Sequence, residues 1–101
     1  MILGNIPVLS RLALIDGQDF AHEFTEVVEE LPWGSVVVLE MLNATRTVSF
    51  GSWPVIDMAI RIDADDHAFI PQGSWFRLWV TYPDDGGRFC WLAGPVDRNR
   101  R

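Results

Sequence analysis

The sequence predicts an all-β fold: a small antiparallel sandwich of about seven strands, in one domain. Three observations predict it. Turn-forming residues recur along the chain, separated by runs of six to nine residues rich in Val, Ile, Phe, Trp and Thr. Several of these runs alternate with period two, the pattern of a strand with one face in a core. The chain has 101 residues, 49% of them hydrophobic, enough for one packed interior and no second module.

The elements follow in chain order. Residues 1–8 read as an N-terminal arm that can dock on neighbours, and "IDGQD" (15–19) as the first turn. In "QDFAHEFTE" (18–26), Phe20, His22 and Phe24 share one face of a strand. The same stretch can be drawn as a helix with Phe20, Phe24, Val27 and Leu31 on one side, ending at Pro32; the tight Phe-x-His-x-Phe alternation favours the strand. After the turn "ELPWGS" (30–35), "VVVLEML" (36–42) is apolar on nearly both faces, as a central or covered strand would be. "LNATR" (42–46) and "GSWP" (51–54) read as turns. "VIDMAIRI" (55–62) reads as a strand with Ile56, Met58, Ile60 and Ile62 on one face and Asp57 and Arg61 on the other.

"DADDHAF" (63–69) opens with capping aspartates and predicts at most one short helical turn. "IPQGS" (70–74) turns the chain into "WFRLWVTY" (75–82), where Phe76, Leu78, Val80 and Tyr82 form one row and Trp75, Arg77, Trp79 and Thr81 the other. "DDGG" (84–87) makes a hairpin to a last strand over 88–97, within which "AGP" (93–95) is a further turn signal.

Composition narrows the function. No apolar run approaches the roughly 20 residues of a membrane span, and no basic region precedes the apolar N-terminus, so neither a membrane nor a signal peptide is indicated. Synthesis in a cytoplasm follows. The net charge is −6; all eight basic residues are arginine, as a GC-rich coding genome would give. Residues 1–97 carry five arginines against 14 acids, a poor surface for nucleic acid and a better one for a basic protein.

Chemistry finds little support. Cys90 is the only cysteine, so no internal disulfide exists; it stands between Phe89 and Trp91 in an alternating strand and reads as a packing residue. Asp63, Asp65, Asp66 and His67 lack the alternating ligands, central glycine and closing glutamate of a calcium loop, and read as a solvated turn. His22 and His67 have no metal-site spacing. No glycine-rich phosphate loop or paired acid–base constellation occurs. No catalytic, metal or cofactor residue is assigned, and no small-molecule substrate. The aromatics carry more information. Five tryptophans are more than so small a sandwich can hide, and Trp and Arg dominate binding hot spots. Trp33, Trp53, Trp75, Arg77 and Trp79 are the expected interface, with Arg98, Arg100 and Arg101 as a loose or lightly docked basic end.

One resemblance spans almost the whole chain. Gly17, Asp19, Phe20 and Phe24, then Phe76, Arg77, Leu78, Tyr82 and Pro83, and finally Cys90, Trp91, Gly94, Val96 and Arg98 follow one pattern. It resembles that of small actinobacteriophage proteins of the L-shaped tail-fibre collar (LtfC-like) β-sandwich family. The middle, "FGSWPVIDMAIRIDADDHAFIPQGS", has little of it. The resemblance implies an immunoglobulin-like, non-enzymatic virion protein present in symmetric, self-associating copies. Its expected partners are the major capsid protein or tail proteins of the same phage. Its expected role is a minor capsid or decoration protein that reinforces the shell; the alternative is a tail collar or head–tail ring protein. Two rivals come from other classes: a carbohydrate-binding module using exposed Trp, and an enzyme using Cys90.

Overall fold

The computed structural model describes residues 8–24, 34–83 and 86–99. Among them lie β1 (Val8–Leu9), β2 (Leu12–Ile15), β3 (Phe20–Glu23), β4 (Val36–Leu42), β5 (Ser49–Val55), β6 (Ala59–Ile62), a single helical turn α1 (Ala64–His67), β7 (Trp75–Thr81) and β8 (Arg88–Asn99). β1 and β2 both run parallel along β8 and are separated only by Ser10 and Arg11. Taken as one broken strand, they bring the described strands to seven, the expected number.

Two sheets face each other. The large one has the order β1/β2–β8–β7–β4–β5, and the small one is the antiparallel pair β3–β6. With the first strand beside the last and β3–β6 opposite, the connectivity is immunoglobulin-like. The parallel contact at the N-terminal strand is a departure from the antiparallel pattern expected.

The period-two pattern of the sequence becomes the two faces of the large sheet. Val37, Leu39 and Met41 of β4 and Phe76, Leu78 and Val80 of β7 are buried, and they meet Ile60 and Ile62 of β6, Phe24 and the β2 residues Leu12 and Leu14. Each fully buried aliphatic side chain of this kind stabilises the fold by about 2 kcal/mol. The rows between them, Val38 and Glu40 on β4 and Trp75, Arg77 and Trp79 on β7, point away from this core.

Three sequence expectations are corrected. "GSWP" is no turn: it lies within β5, and Trp53, in register with Leu39, packs against the core. The run 55–62 is not one strand. Asp57 and Met58, with φ of 52° and 60°, form a tight reversal between β5 and β6, closed by reciprocal Ile56–Ala59 backbone hydrogen bonds of 3.0 Å. Ile60 and Ile62 keep their inward place, but Ile56 is exposed.

"AGP" also lies inside a strand, β8. The signal there belongs to the neighbour, because the β8 ladder passes from β1 (Leu9 opposite Ala93) to β2 (Leu12 opposite Val96) across Gly94 and Pro95. A proline fits where one ladder is interrupted. A Cβ on Gly94 would lie 1.6 Å from the Ser10 carbonyl oxygen, so only glycine admits the crossing chain. The choice between helix and strand is settled only up to Phe24, since residues 25–33, Trp33 included, lie outside the described residues.

Candidate interaction surface

The outward face of the large sheet is built by the register of β4, β7 and β8. Antiparallel pairing places Trp79 beside Val38 and Arg77 beside Glu40. On the other side of β7, Trp79 pairs with Cys90 and Thr81 with Arg88. A register shift after Leu78 leaves Trp91 without a paired residue, and its ring packs against the core while Cys90 stays on the outer face.

Each outward indole is held by charged neighbours. Trp79 Nε1–H donates to Glu40 Oε1 at 3.0 Å. The Arg88 guanidinium carbon lies 4.0 Å from the Trp79 ring centroid, and that of Arg77 lies 5.8 Å away. Arg46 covers Trp75 at 4.4 Å. Its place is set by the β4–β5 loop, where Asn43 Oδ1 accepts from the Thr47 and Val48 amides at 2.8 and 3.1 Å and Arg46 takes a φ of 61°. Stacking of a guanidinium on an indole stabilises by about 0.5–1 kcal/mol at an exposed site. Leu9, on the edge strand β1, and Val36, at the start of β4, are 74% and 55% exposed. The result is an outward aromatic patch held by three arginines and one glutamate.

The chain matches the LtfC-like, beta-sandwich domain model over residues 7–99. The chain belongs to that family. Membership places it among phage structural β-sandwich domains and confirms the resemblance read from the motifs at its two ends. No curated protein matches the chain.

The structure of this LtfC-like domain distributes the expected interface residues unevenly. Trp75, Arg77 and Trp79 come together on the outward face, half-buried among their neighbours. Trp53 is on the inner side of β5. Arg98 is no loose end: its side chain is 11% exposed, its Nε donates to Asp16 Oδ1 at 3.0 Å, and Nη2 donates to the His67 carbonyl at 3.0 Å. His67, fully buried, has Nε2 2.7 Å from the Gln18 carbonyl. That contact requires Nε2 to carry the proton and leaves Nδ1 to accept from Arg98 at 3.4 Å. Trp33, Arg100 and Arg101 lie outside the described residues.

Arg46, Arg88 and Glu40 were missed. Arg88 was within reach of the sequence, because a hairpin closed at "DDGG" puts it across from Thr81 and diagonal to Trp79. Arg46 and Glu40 needed the pairing of strands far apart in the chain.

Among the described residues, no catalytic arrangement forms around Cys90. The thiol is on the outer face of the large sheet, His22 is on the core-facing row of β3, and His67 is enclosed beneath Arg98. Burial pushes the thiol pKa up, against the nearby Arg77, and Sγ–H donates to the Leu92 carbonyl at 3.3 Å. A thiol so held is a weak nucleophile. A half-open hollow of about 260 Å³ lies between β2 and β3, lined mainly by Leu12, Phe20, Phe24, Leu39, Phe76 and Leu92, and also by Arg11 and His22; among the described residues no carboxylate or thiol lines it. Among the described residues, no group of three or more His, Cys, Asp or Glu is placed to hold a metal ion.

Proposed function

We propose that this domain is a non-enzymatic, virion-associated structural protein that attaches to neighbouring subunits through the outward face of its large sheet. The observation that carries the reading is the Trp75–Arg77–Trp79 row, with Arg46 and Arg88 stacked on it. Aromatic rings fixed by charged partners present a rigid, low-entropy contact surface of the kind that anchors interfaces. Many such contacts in one particle add up by avidity.

Two positions in the particle fit this surface. A minor capsid or decoration protein would dock on the major capsid protein; a tail collar or head–tail ring protein would dock on tail proteins. The collar character of the family supports the tail position. Quantitative mass spectrometry of purified particles decides between them. A ring closed by cyclic symmetry gives few copies per particle, about six or twelve, and a shell protein gives hundreds. Trp79→Ala is expected to abolish incorporation while the domain stays folded; normal incorporation of that variant rejects the surface. A sugar-binding role has less support, because Arg46 and Arg88 already occupy the indole faces on which a sugar ring would stack.

A further inference from the structure

The two outer faces of the sandwich carry opposite charge. On the outer face of the large sheet, Arg46, Arg77 and Arg88 surround the indoles beside Glu40, and Arg11 pairs with Asp97 of β8 at 3.1 Å, so among the described residues arginine is in excess there. On the far side, the outward row of β3 and β6 holds Glu23 and Arg61, and its margin holds Asp19 and Asp63, both of which pair with Arg61. The chain then enters α1, where Asp65 and Asp66 are exposed. Five described carboxylates therefore stand against one arginine on and beside the small sheet. That arginine is engaged by its own neighbours, at 2.7 Å from Asp19 and 3.6 Å from Asp63.

We propose that the Trp75–Trp79 face of one copy docks on the acidic small-sheet side of a second copy, head to tail. The inference rests on the reading of the outward face as a docking surface and names its occupant. Charge complementarity argues for this partner. The whole chain is at −6, so a local excess of arginine is an exception on it, and the acid-rich surface that this excess fits is present on the same molecule. The alternative self-contact, Trp face to Trp face, would bring three arginines against three. Opposite faces in contact also make the interface heterologous, so each copy keeps one face of each kind open for the next. The seven-residue strands β4, β5 and β7 with the facing part of β8 give a face about 20 Å long and about 15 Å wide, smaller than a standard interface patch, so the contact between one pair is weak and salt-sensitive.

Sedimentation equilibrium of the full chain at low and high salt tests this with two charge-reversed variants. One carries Arg46→Glu and Arg88→Glu, the other Glu23→Arg and Asp66→Arg; all four positions are exposed, and circular dichroism checks the fold. Wild type is expected to self-associate in a concentration-dependent way. Each variant alone should lose about tenfold or more in association constant, and an equimolar mixture should recover it, because the acidic side of the first then meets the basic face of the second. A wild type that stays monomeric at low salt, self-association surviving in either variant, or no recovery on mixing overturns the proposal. Should a charge reversal misfold, Arg88→Gln, which removes charge without reversing it, should weaken self-association in the same direction; undiminished association overturns the proposal. Binding to purified particles separates the two readings. A monomeric wild type that still binds particles through Arg88 removes the second copy as occupant and leaves the docking face standing.

Discussion

Strand β8 carries two arginines ten residues apart, and the molecule uses them in opposite ways. Arg88, at its start, lies exposed over Trp79 on the outer face. Arg98, near its end, is enclosed between Asp16 and α1, with the first strand closing that half of β8 through β2. One guanidinium keeps an aromatic surface in place for a partner; the other fastens the helical turn and the β2–β3 connection to the sheet. A basic residue on this strand is left at the surface or enclosed according to which neighbours the strand register supplies. Residue type alone does not separate them.

The largest effect is expected at Gly94, in the enclosed half of β8. Gly94→Ala drives a methyl group into the Ser10 carbonyl and should destabilise the fold by about 3 kcal/mol. The expected readout is a lower denaturant midpoint together with faster amide exchange in β1 and β2. Arg98→Ala comes next. It strips Asp16 and the His67 carbonyl of their donor; because Asp16 is 42% exposed and recovers water, the expected cost is about 2 kcal/mol. Arg98→Lys should restore only part of it, since an ammonium cannot serve Asp16, the carbonyl and the imidazole from one plane.

Arg88→Ala should cost well under about 1 kcal/mol in the same denaturation experiment, because only an exposed stacking contact is lost. A loss as large as that of Arg98→Ala would erase the distinction between the two ends. The smallest effect is expected at Asp19. The Ala64 amide first, and then Arg61, holds its carboxyl below the ordinary range. A depressed carboxylate contributes stability that is full above its unfolded pKa and is lost as the pH falls through the folded value. Asp19→Asn should therefore lower stability slightly at neutral pH and flatten the acid limb of a pH-stability profile below about pH 4, where wild type loses the same contribution.

Much of the fold was legible. The split of 75–81 into a buried row and an outward row, the antiparallel pairing of β7 with β8 and the helical turn at Ala64–His67 all depend on local geometry, and the structure reproduces them. The misreadings share one cause. Gly51 and Pro54 in β5 and Gly94 and Pro95 in β8 look like punctuation, yet each occupies a place that a neighbouring strand makes acceptable. β5 is the edge of its sheet, and Gly94 and Pro95 face the break between β1 and β2. Of the proposed surface, alternation points to Trp75, Arg77 and Trp79, whereas Trp53, read in a turn, and Arg98, read as part of a basic end, lie inward.

By itself, the order of residues determined which side chains alternate along each strand, how many strands there are and where the last hairpin turns, because these follow from contacts between near neighbours in the chain. Tertiary structure alone decided that Glu40 meets Trp79, that Arg46 covers Trp75 and that Arg98 is enclosed with His67. Those meetings join segments about 30 or more residues apart, and their geometry is set by the register of one strand on another.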